Sequence, residues 1–485
     1  MARLKTVGWV AVGVIAGALT TLQLQAVARS NMLPLPLSEL QQLATVFSLV
    51  KSDYVEPVDE KKLLTDAIKG MVSNLDPHSS YYDAKEWKEF REGTSGSFVG
   101  IGIEISMEDG LVKVVSPIED SPAERAGLRT NDLIAEIDGT QVKGLSINEA
   151  VKRIRGVQGT EVRLTILRKS EERSFGVTIK RDQIQTQSVK VKMSEPGYAW
   201  VRISQFQERT VEDFARKVGD LVGQSGPLKG MVLDLRNDPG GLLDGAVAIS
   251  AAFLPADAVV VSTTGQLEES KFVYKANPEY YLSRGETDAI AELTQVTQGQ
   301  LKKVPLVVLV NEGSASASEI VSGALQDHKR ATIMGNQTFG KGSVQTVRPL
   351  GPDTGVKLTT AIYLTPSGRS IQAKGIVPDL WVDETAEGNL FADLTVREAD
   401  LNKHLGGAEE DKNKNNLTRE QAREQAQKRL EEQRAKNPNG RLLPEFGSAE
   451  DFRLQQALLH LKGQKVKLST TLQPRPVASN DNAKP

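Results

Sequence analysis

Short apolar runs alternate with helical patterns through the centre of the chain. Val304–Val310 is apolar throughout and rich in β-branched residues, which is typical of a strand buried on both faces of a sheet. A turn of small residues leads from it into the helical pattern Ser318–Leu325, and a glycine-rich turn leads from a second apolar run at Gly230 into Leu242–Phe253. This alternation, repeated over residues 186–384, predicts an α/β core. Later strands are predicted at 357–363 and 376–382.

Helical periodicity also marks the segment before this core. After a proline-rich linker, a helix is predicted from Ser38, and a second over Glu60–Asn74. The apolar positions of the first recur at helical spacing, which is more often a sign of internal packing than of a partner surface. They are Leu40, Leu43, Ala44, Phe47 and Val50.

The C-terminal region changes composition beyond Thr385. Glu409–Lys436 is crowded with charged and amide residues, which predicts a solvated helix or disorder. Asp451–Leu461 returns to helical periodicity and could dock on the core or on another subunit. The residues from Gln473 onward look unstructured.

The N-terminus has the three parts of a secretory signal. A basic start is followed by an apolar stretch over Val7–Leu19 and by the small-residue sequence Ala26–Ala28. The apolar stretch is short for a membrane span, although an uncleaved signal could still anchor the chain. We therefore expect export to the bacterial periplasm, with residues 1–30 as signal or anchor.

Composition removes several classes of function. With 485 residues, of which 39% are hydrophobic, the chain can form several domains with real cores. A net charge of −2 gives no general nucleic-acid footprint. The absence of cysteine removes disulfides, thiolate metal sites and cysteine catalysis, and four scattered histidines make a metal site unexpected. We expect no cofactor.

Ser316 lies in the turn between the Val304–Val310 strand and its helix. A serine at such a turn resembles a nucleophile elbow, with N–H groups at the helix start free to hold an oxyanion. Its hydroxyl needs a base, and a lysine can serve only if burial lowers its pKa. Lys341, between two glycines, is the candidate base. On an extended strand, Gln345 would share its face and could hold the amine.

Each of these features also fits a simpler interpretation. A Ser/Ala-rich segment can be only a tight turn, and a lysine between glycines can be a solvated loop residue. The competing chemistry is a histidine-based triad, for which His328 is the one serious candidate. It lies about three helical turns, roughly 15 Å, from Ser316 along the predicted helix. A cation there fits the helix C-terminus better.

The joint pattern resembles a known family. Asn311–Glu319 and Thr338–Gln345 are similar to the active-site segments of C-terminal processing peptidases, which are serine proteases with a Ser/Lys dyad and an assisting glutamine. This resemblance implies Ser316 as nucleophile, Lys341 as general base and Gln345 as the residue that orients it.

A third segment matches the same peptidases. Gly230–Gly241 is similar to the strand and glycine loop with which they place a backbone N–H in the oxyanion hole. The resemblance implies Gly240 and Ala317 as the two donors, with Gly241 as the alternative to Gly240. Backbone donors of this kind are typically worth several kcal/mol of transition-state stabilisation each.

Residues 97–179 look like a PDZ domain. The resemblance rests on the loop Val99–Gly102, the turn Ser121–Leu128, and a helix over Ser146–Arg155 with Ser/Glu capping-box spacing. A PDZ groove adds an extended peptide to a strand edge, which would here begin at Ile101. Arg155 is a candidate regulatory contact to the protease core, or only a charge at a helix end. The implied peptide-binding residues are Val99, Gly100, Ile101, Gly102 and Ile103.

These observations predict an α/β multi-domain protein, with an inserted PDZ domain and helical regions at both ends. After the signal, we expect a helical region at 31–94, which family members use for dimer contacts. We expect the PDZ domain at 95–182, the α/β serine protease core at 183–385, and a charged C-terminal region at 386–485.

The predicted function is that of an exported serine endopeptidase that binds apolar C-terminal tails of proteins. The resemblance also implies a homo-oligomer, cell-wall hydrolases as substrates, and a repeat-containing lipoprotein as adaptor. Two alternatives remain open from the sequence: a non-catalytic PDZ scaffold, and an esterase or amidase with the same dyad. Intact Ser316, Lys341 and Gln345 argue against a scaffold, and a peptide-binding groove argues against small ester substrates.

Overall fold

The computed structural model describes residues 36–406 apart from 109, 119, 392 and 393, then residues 424–428, 430–432 and 434, and finally residues 442–470. The predicted export signal and the tail from Gln473 lie outside the described residues, as does most of Glu409–Lys436. Within the described ranges, no helix combines the length and apolar character needed to cross a bilayer.

Helices and strands occupy most of the described chain. The main helices are α1 Leu37–Asp53, α2 Glu60–Ser73, α3 Ala84–Ser95, α4 Pro122–Arg125, α5 Ile147–Ile154, α6 Thr210–Ser225, α7 Leu243–Phe253, α8 Ala289–Val296, α9 Ala317–Asp327 and α10 Phe452–Leu461. The strands up to residue 203 are β1 Ser80–Tyr82, β2 Ser97–Gly100, β3 Ile103–Glu108, β4 Leu111–Pro117, β5 Leu133–Ile137, β6 Thr140–Gln141, β7 Glu161–Arg168, β8 Arg173–Lys180, β9 Asp182–Gln185, β10 Val189–Glu195 and β11 Tyr198–Ile203. The later strands are β12 Gly230–Asp234, β13 Val259–Thr264, β14 Phe272–Lys275, β15 Leu306–Val310, β16 Thr332–Gly335, β17 Ser343–Pro349, β18 Gly355–Leu364 and β19 Leu380–Trp381.

A six-stranded sheet forms the centre of the core, in the order β10-β11-β12-β15-β16-β19. Its strands pair in parallel from β11 to β19, and β10 is the antiparallel edge. Every residue of β12 and β15 is buried, as expected for central strands covered on both faces. The predicted α/β architecture is therefore confirmed.

The two faces of this sheet are covered by different parts of the chain. Helices α6, α7, α8 and α9 supply most of the apolar residues on one face. The other face packs against α10, which contributes Leu454, Ala457 and Leu458 to a cluster with Trp200 and Val232. Of the two docking sites left open for this terminal helix, the chain therefore uses its own core.

A second sheet joins distant parts of the chain. It has the order β1-β18-β13-β14, with β17 also paired to β18. Strand β1 comes from the region before the PDZ-like segment, and Ser80 pairs with Lys357 in antiparallel register. Strand β17 continues directly from the loop that holds Lys341. This sheet thus connects the N-terminal region to the predicted active site.

The segment expected to be a PDZ domain forms its own sheet, β3-β4-β5-β7-β8, with β3 at one edge and β6 beside β5. Helix α5 has the predicted capping box between Ser146 and Glu149. The edge strand begins at Ile103, so its predicted start at Ile101 is wrong. The chain turns before it because Gly102 has a positive φ of 79° and its carbonyl accepts the Ile118 N–H.

Two further predictions are corrected at the edges of the fold. The strand predicted over 376–382 is reduced to Leu380–Trp381, because the chain before it forms loop contacts instead. The chain divides into two compact units after Ile68. In the first unit, helix α1 has no buried residue, so the internal packing predicted for its apolar stripe is not seen among the described residues of that unit.

Candidate active site

Ser316 occupies a strained turn at the carboxyl end of β15. It has a φ of 55° and a ψ of −112°, and it immediately precedes helix α9. A positive φ costs a non-glycine residue of order 1–3 kcal/mol and is maintained only where the surroundings enforce it. The residue is buried, with 7% of its surface exposed. This is the geometry of a nucleophile elbow, as the small-residue turn predicted.

Glu319 ties this turn to the loop of Lys341. Its carboxylate accepts the N–H of Ser316 at 2.9 Å and the N–H of Lys341 at 2.9 Å, both on Oε2. Its Oε1 accepts the Gly340 N–H at 2.7 Å and the Thr338 hydroxyl. Burial raises the pKa of Glu319 to about 7, although these four donors oppose the rise. One carboxyl group therefore fixes the backbone of both predicted dyad residues.

Lys341 extends from a closely packed loop. A side chain at Gly342 would overlap the backbone of Gln372, and Gly340 has a φ of 96°. Glycine is thus needed on both sides of the lysine. Burial, with help from the charge of Lys357, lowers the pKa of Lys341 to about 8. A substantial fraction of its amine is therefore neutral near physiological pH, as a general base requires.

Gln345 lies on β17, four residues after Lys341. Its Nε2 donates to Ser343 Oγ at 2.9 Å and to Thr359 Oγ1 at 3.3 Å. Thr359 is its cross-strand partner on β18. Both described hydrogen bonds of the amide use the nitrogen, and among the described residues the Oε1 atom has no donor.

The glycine loop after β12 packs directly against the Ser316 turn. A Cβ on Gly240 would lie 2.8 Å from Ser316 Cβ, and its φ of 93° also favours glycine. The Asp238 carbonyl accepts the Ala315 N–H at 2.9 Å and the Ser318 hydroxyl at 3.0 Å. Since β12 and β15 are neighbouring parallel strands, their loops meet at one edge of the sheet.

The predicted oxyanion donors differ in availability. The Gly240 N–H already donates to Asp238 Oδ1 at 2.9 Å. Among the described residues, no acceptor receives the N–H of Gly241 or of Ala317. Burial raises the pKa of Asp238 to about 8, and its Oδ2 atom is buried without a partner in the described chain.

Tyr363 is a further residue beside Ser316 that the sequence did not single out for a role. Its buried side chain interacts with Ser316, and burial raises its pKa, so the phenol keeps its proton. No local sequence pattern marks either Tyr363 or Glu319 as a residue of the active site. Glu319 looks like an ordinary acidic residue in the first turn of a helix, and Tyr363 looks like a strand residue.

The histidines lie in other environments. His328 follows α9, and its Nε2 is 2.7 Å from the Val259 carbonyl oxygen. His78 Nε2 lies 2.8 Å from Glu398 Oε2. Both rings are thus bonded to groups other than Ser316.

Arg155 does not make the contact predicted for it. Its guanidinium donates to Glu92 at 2.9 Å and lies 4.7 Å from the centre of the Phe98 ring. Glu92 belongs to α3, which precedes the PDZ-like segment, so the described partner is this helix and not the α/β core. Arg155 follows α5 in an extended conformation, and its side chain reaches Glu92 of α3 and the Phe98 ring of β2.

The predicted peptide-binding residues occupy two different places. Val99 and Gly100 belong to β2, which pairs with β9, and Ile101 is buried with 1% exposed. Ile103 is the first residue of β3. Because β3 lies at an edge of its sheet, its outer side is open to strand addition.

Three family models match this chain. Peptidase family S41 matches residues 197–382, a PDZ domain matches 99–179, and the activating protease CtpB N-terminal domain matches 13–86.

Curated proteins of the same kind are similar over most of the chain. A carboxy-terminal-processing protease of Bartonella bacilliformis is 44% identical over 375 residues, which cover 77% of this chain and 82% of that protein. A probable CtpA-like serine protease of Staphylococcus aureus is 40% identical over 347 residues, which cover 71% of this chain and 65% of that protein. A photosystem II D1 C-terminal processing protease of known structure is 31% identical, with a TM-score of 0.39, over 68% of this chain and 84% of that one. The protein therefore belongs to the C-terminal processing peptidases of family S41 and carries a PDZ domain.

Proposed function

We propose that the protein is an exported serine endopeptidase that cleaves peptide bonds through an acyl-enzyme on Ser316. The observation that carries this proposal is the lysine base. Lys341 is mostly buried, its pKa is lowered to about 8, and its loop is fixed to the Ser316 turn through Glu319. A lysine activated by burial can take a proton from serine without a histidine.

The reaction would proceed in two halves. Neutral Lys341 takes the Ser316 proton as Oγ bonds to the scissile carbonyl carbon, which produces a tetrahedral oxyanion. The C–N bond then breaks, and the Lys341 ammonium gives its proton to the leaving amine. In the second half, a water molecule gives a proton to Lys341 while the water oxygen attacks the carbonyl carbon of the acyl-enzyme ester. The Ser316 Oγ leaves with that proton, and the product is a carboxylic acid.

The oxyanion would be held by backbone N–H groups. Ala317 is suited to this because its N–H begins helix α9 and has no acceptor among the described residues. Gly240 could serve only after its N–H leaves Asp238, whereas the Gly241 N–H is already available. Because its N–H has no acceptor among the described residues, Gly241 is favoured as the second donor over Gly240, the residue predicted first.

Substrate selection is assigned to the PDZ domain. An apolar C-terminal tail would extend the sheet along β3 from Ile103, with its carboxylate in the turn around Gly100 and Gly102. Strand addition uses backbone hydrogen bonds, which do not distinguish one sequence from another. The preference for apolar tails would therefore come from contacts made by the side chains of the tail.

The biological setting belongs to the same proposal. We place the enzyme in the periplasm, where cell-envelope proteins such as cell-wall hydrolases would be its substrates. A lipoprotein adaptor and self-association are proposed partners. The support for self-association is the apolar stripe of α1, of which no residue is buried among the described residues.

The test compares the purified wild type with Ser316→Ala and Lys341→Ala on an unfolded model protein with an apolar C-terminus. Fragments are identified by mass spectrometry. We expect cleavage by the wild type alone. Ser322→Ala is the matched control, because it removes another buried hydroxyl of the same helix, bonded there to the Ser318 carbonyl. It should cleave as the wild type does.

Equal cleavage by all variants would show that the dyad is assigned wrongly. If no variant and not even the wild type cleaves, the same assay with cell-envelope extract separates the remaining possibilities. Cleavage that then depends on Ser316 would indicate an adaptor-dependent protease. Continued absence would favour a scaffold.

A further inference from the structure

A hydrogen-bonded chain of side chains leads to Gln345 from far upstream. Gln345 Nε2 donates to Thr359 Oγ1, and Thr359 Oγ1 in turn donates to Asp76 Oδ1 at 3.0 Å. Asp76 lies between α2 and β1, and it is separated from Thr359 by 283 residues. The antiparallel pairing of β1 with β18 brings the two together.

Asp76 fixes the direction in which the protons of these hydrogen bonds point. Its residue is 5% exposed, and its carboxylate also accepts the Ser79 hydroxyl and the N–H groups of His78 and Ser79. Burial alone would raise the pKa of Asp76, but these donors and Thr359 outweigh it and hold the pKa below its ordinary value. An ionised carboxylate only accepts hydrogen bonds. The Thr359 hydroxyl must therefore point its proton towards Asp76.

The direction passes on to the amide. A threonine hydroxyl has one proton, so once Thr359 gives it to Asp76, the oxygen can only accept from Gln345. The nitrogen end of the Gln345 amide therefore faces Thr359 and Ser343. The oxygen end is left without a donor among the described residues, and it is the end that can accept from an amine.

Lys341 lies close enough to this network to respond to it. The charges of Asp76 and Glu398 both favour its ammonium form, against the effects of burial and Lys357. Lys341 also lies only four residues before Gln345 in the sequence. A register shift between Val344 and Gln345 puts Gln345 opposite Thr359 on the neighbouring strand.

We propose that Asp76 and Thr359 are positioning residues that fix the orientation of the Gln345 amide, so that its Oε1 is presented to the Lys341 amine. This rests on the proposed function, in which Lys341 is the base and Gln345 orients it. The role is comparable to that of the triad aspartate, which sets the tautomer of a catalytic histidine. It assigns a part in catalysis to a segment outside residues 197–382, the range matched by the peptidase model.

The first experiment measures kcat and KM for Thr359→Val, Thr359→Ser and Thr360→Val. Thr360 is the matched control, because its hydroxyl bonds Thr346 on the neighbouring strand and takes no part in the chain to Gln345. We expect Thr359→Val to lower kcat about tenfold, the value of one hydrogen bond of 1–1.5 kcal/mol, with little change in KM. Thr359→Ser keeps the hydroxyl and should restore most of the loss, and Thr360→Val should resemble the wild type.

The second experiment is a double-mutant cycle with Gln345→Ala. In that background, Thr359→Val should cause no further loss of kcat, because the residue acts only through Gln345. Asp76→Asn is the second variant, since its amide can donate to Thr359 and release the fixed direction. It should lower kcat by a larger factor when Gln345 is present than when Gln345 is absent, where only the loss of the Asp76 charge near Lys341 still acts. Thermal midpoints are recorded for all variants.

The outcomes distinguish a failure of the positioning role from a failure of the proposed function. The same fold-loss from Thr359→Val in both backgrounds, or an equal loss from Thr360→Val, would overturn the positioning role while the dyad stands. A wild-type kcat for Gln345→Ala would overturn the role of Gln345 itself, and the positioning role with it. Wild-type cleavage by Lys341→Ala would overturn the proposed function.

Discussion

Lys341, the proposed base, shows how burial can lower the pKa of a residue that is normally protonated. Removal from water disfavours its ammonium form, and Lys357 adds like-charge repulsion. Three carboxyl groups, those of Glu398, Glu319 and Asp76, act in the opposite direction. The balance leaves the pKa at about 8, well below the ordinary value for lysine.

The pH dependence of kcat/KM should therefore follow the Lys341 amine. The base must be neutral, so activity should rise as the pH increases through about 8 and fall about tenfold per unit below it. Lys357→Met removes a positive charge that disfavours the ammonium, so the inflection should move to higher pH. Exposed Lys180→Met is the control and should not move it. An unchanged profile for Lys357→Met would contradict this electrostatic account.

Glu319 should be indispensable because four donors depend on it. Glu319→Ala leaves those donors buried without an acceptor, at about 1–3 kcal/mol each, and should unfold the active-site loops or the whole core. Glu319→Gln keeps the size but retains one acceptor oxygen, so we expect a loss of kcat of about a hundredfold or more. Activity and thermal midpoint measure the two effects.

The matched control is Glu292→Gln, which changes an exposed acidic residue in the first turn of α8. It should alter neither quantity. Full activity of Glu319→Gln would show that the Ser316 and Lys341 loops are held by other contacts.

At the scale of elements, α10 is attached to the segment that leads from β12 into the glycine loop. Arg236 is buried between Asp234 and Asp451, with Nη1 2.9 Å from Asp451 Oδ1 and Nη2 2.6 Å from Oδ2. Asp451 also caps α10 through the Leu454 N–H. Arg236 is the last residue of the buried run that includes β12 and Leu235, and the glycine loop follows it.

Removal of this anchor should destabilise the core and loosen the glycine loop. Asp451→Ala leaves a buried guanidinium with one fewer partner and an uncapped helix, so we expect a loss of about 3–5 kcal/mol in the free energy of unfolding. Urea unfolding gives the value. The adjacent exposed Glu450→Ala should change it by less than about 0.5 kcal/mol. Equal midpoints for the two variants would mean that α10 is held by its apolar contacts alone.

At the scale of the whole molecule, one of the contacts between the PDZ domain and the helix that precedes it is a small polar pair. Arg155 and Glu92 have 43% and 20% of their side chains exposed, so their ion pair is worth at most about 1 kcal/mol. A contact of this strength can break and re-form as the domain binds a peptide.

Charge reversal should reveal whether this contact transmits peptide binding. We expect Arg155→Glu to change the concentration of apolar peptide that gives half-maximal cleavage of a second substrate, with little effect on stability. Arg155→Glu combined with Glu92→Arg should restore the wild-type concentration, because the pair is re-formed with opposite polarity. No change in either variant would leave Arg155 as a surface charge only.

The sequence predicts most of what is encoded locally. The strand, the small-residue turn at Ser316 and the capping box at Ser146 each arise within about ten residues of chain. The start of the PDZ edge strand and the contact of Arg155 were wrong, because a turn at Gly102 and a long-range partner decided them. No local pattern indicates that Glu319 joins two loops or that Asp76 bonds Thr359, 283 residues away.

The pairing of β1 with β18 also sets an order for folding during synthesis. The Thr359 N–H bonds Ser79 Oγ across 280 residues, so the strand that reaches the exit of the ribosome first must wait for its partner. At about 5–20 residues per second, that delay is of the order of tens of seconds. During this interval the nascent chain lacks the strand pairing that lies beside the proposed base, Lys341. The sheet that supports this part of the proposed site can therefore form only after Thr359 has been synthesised.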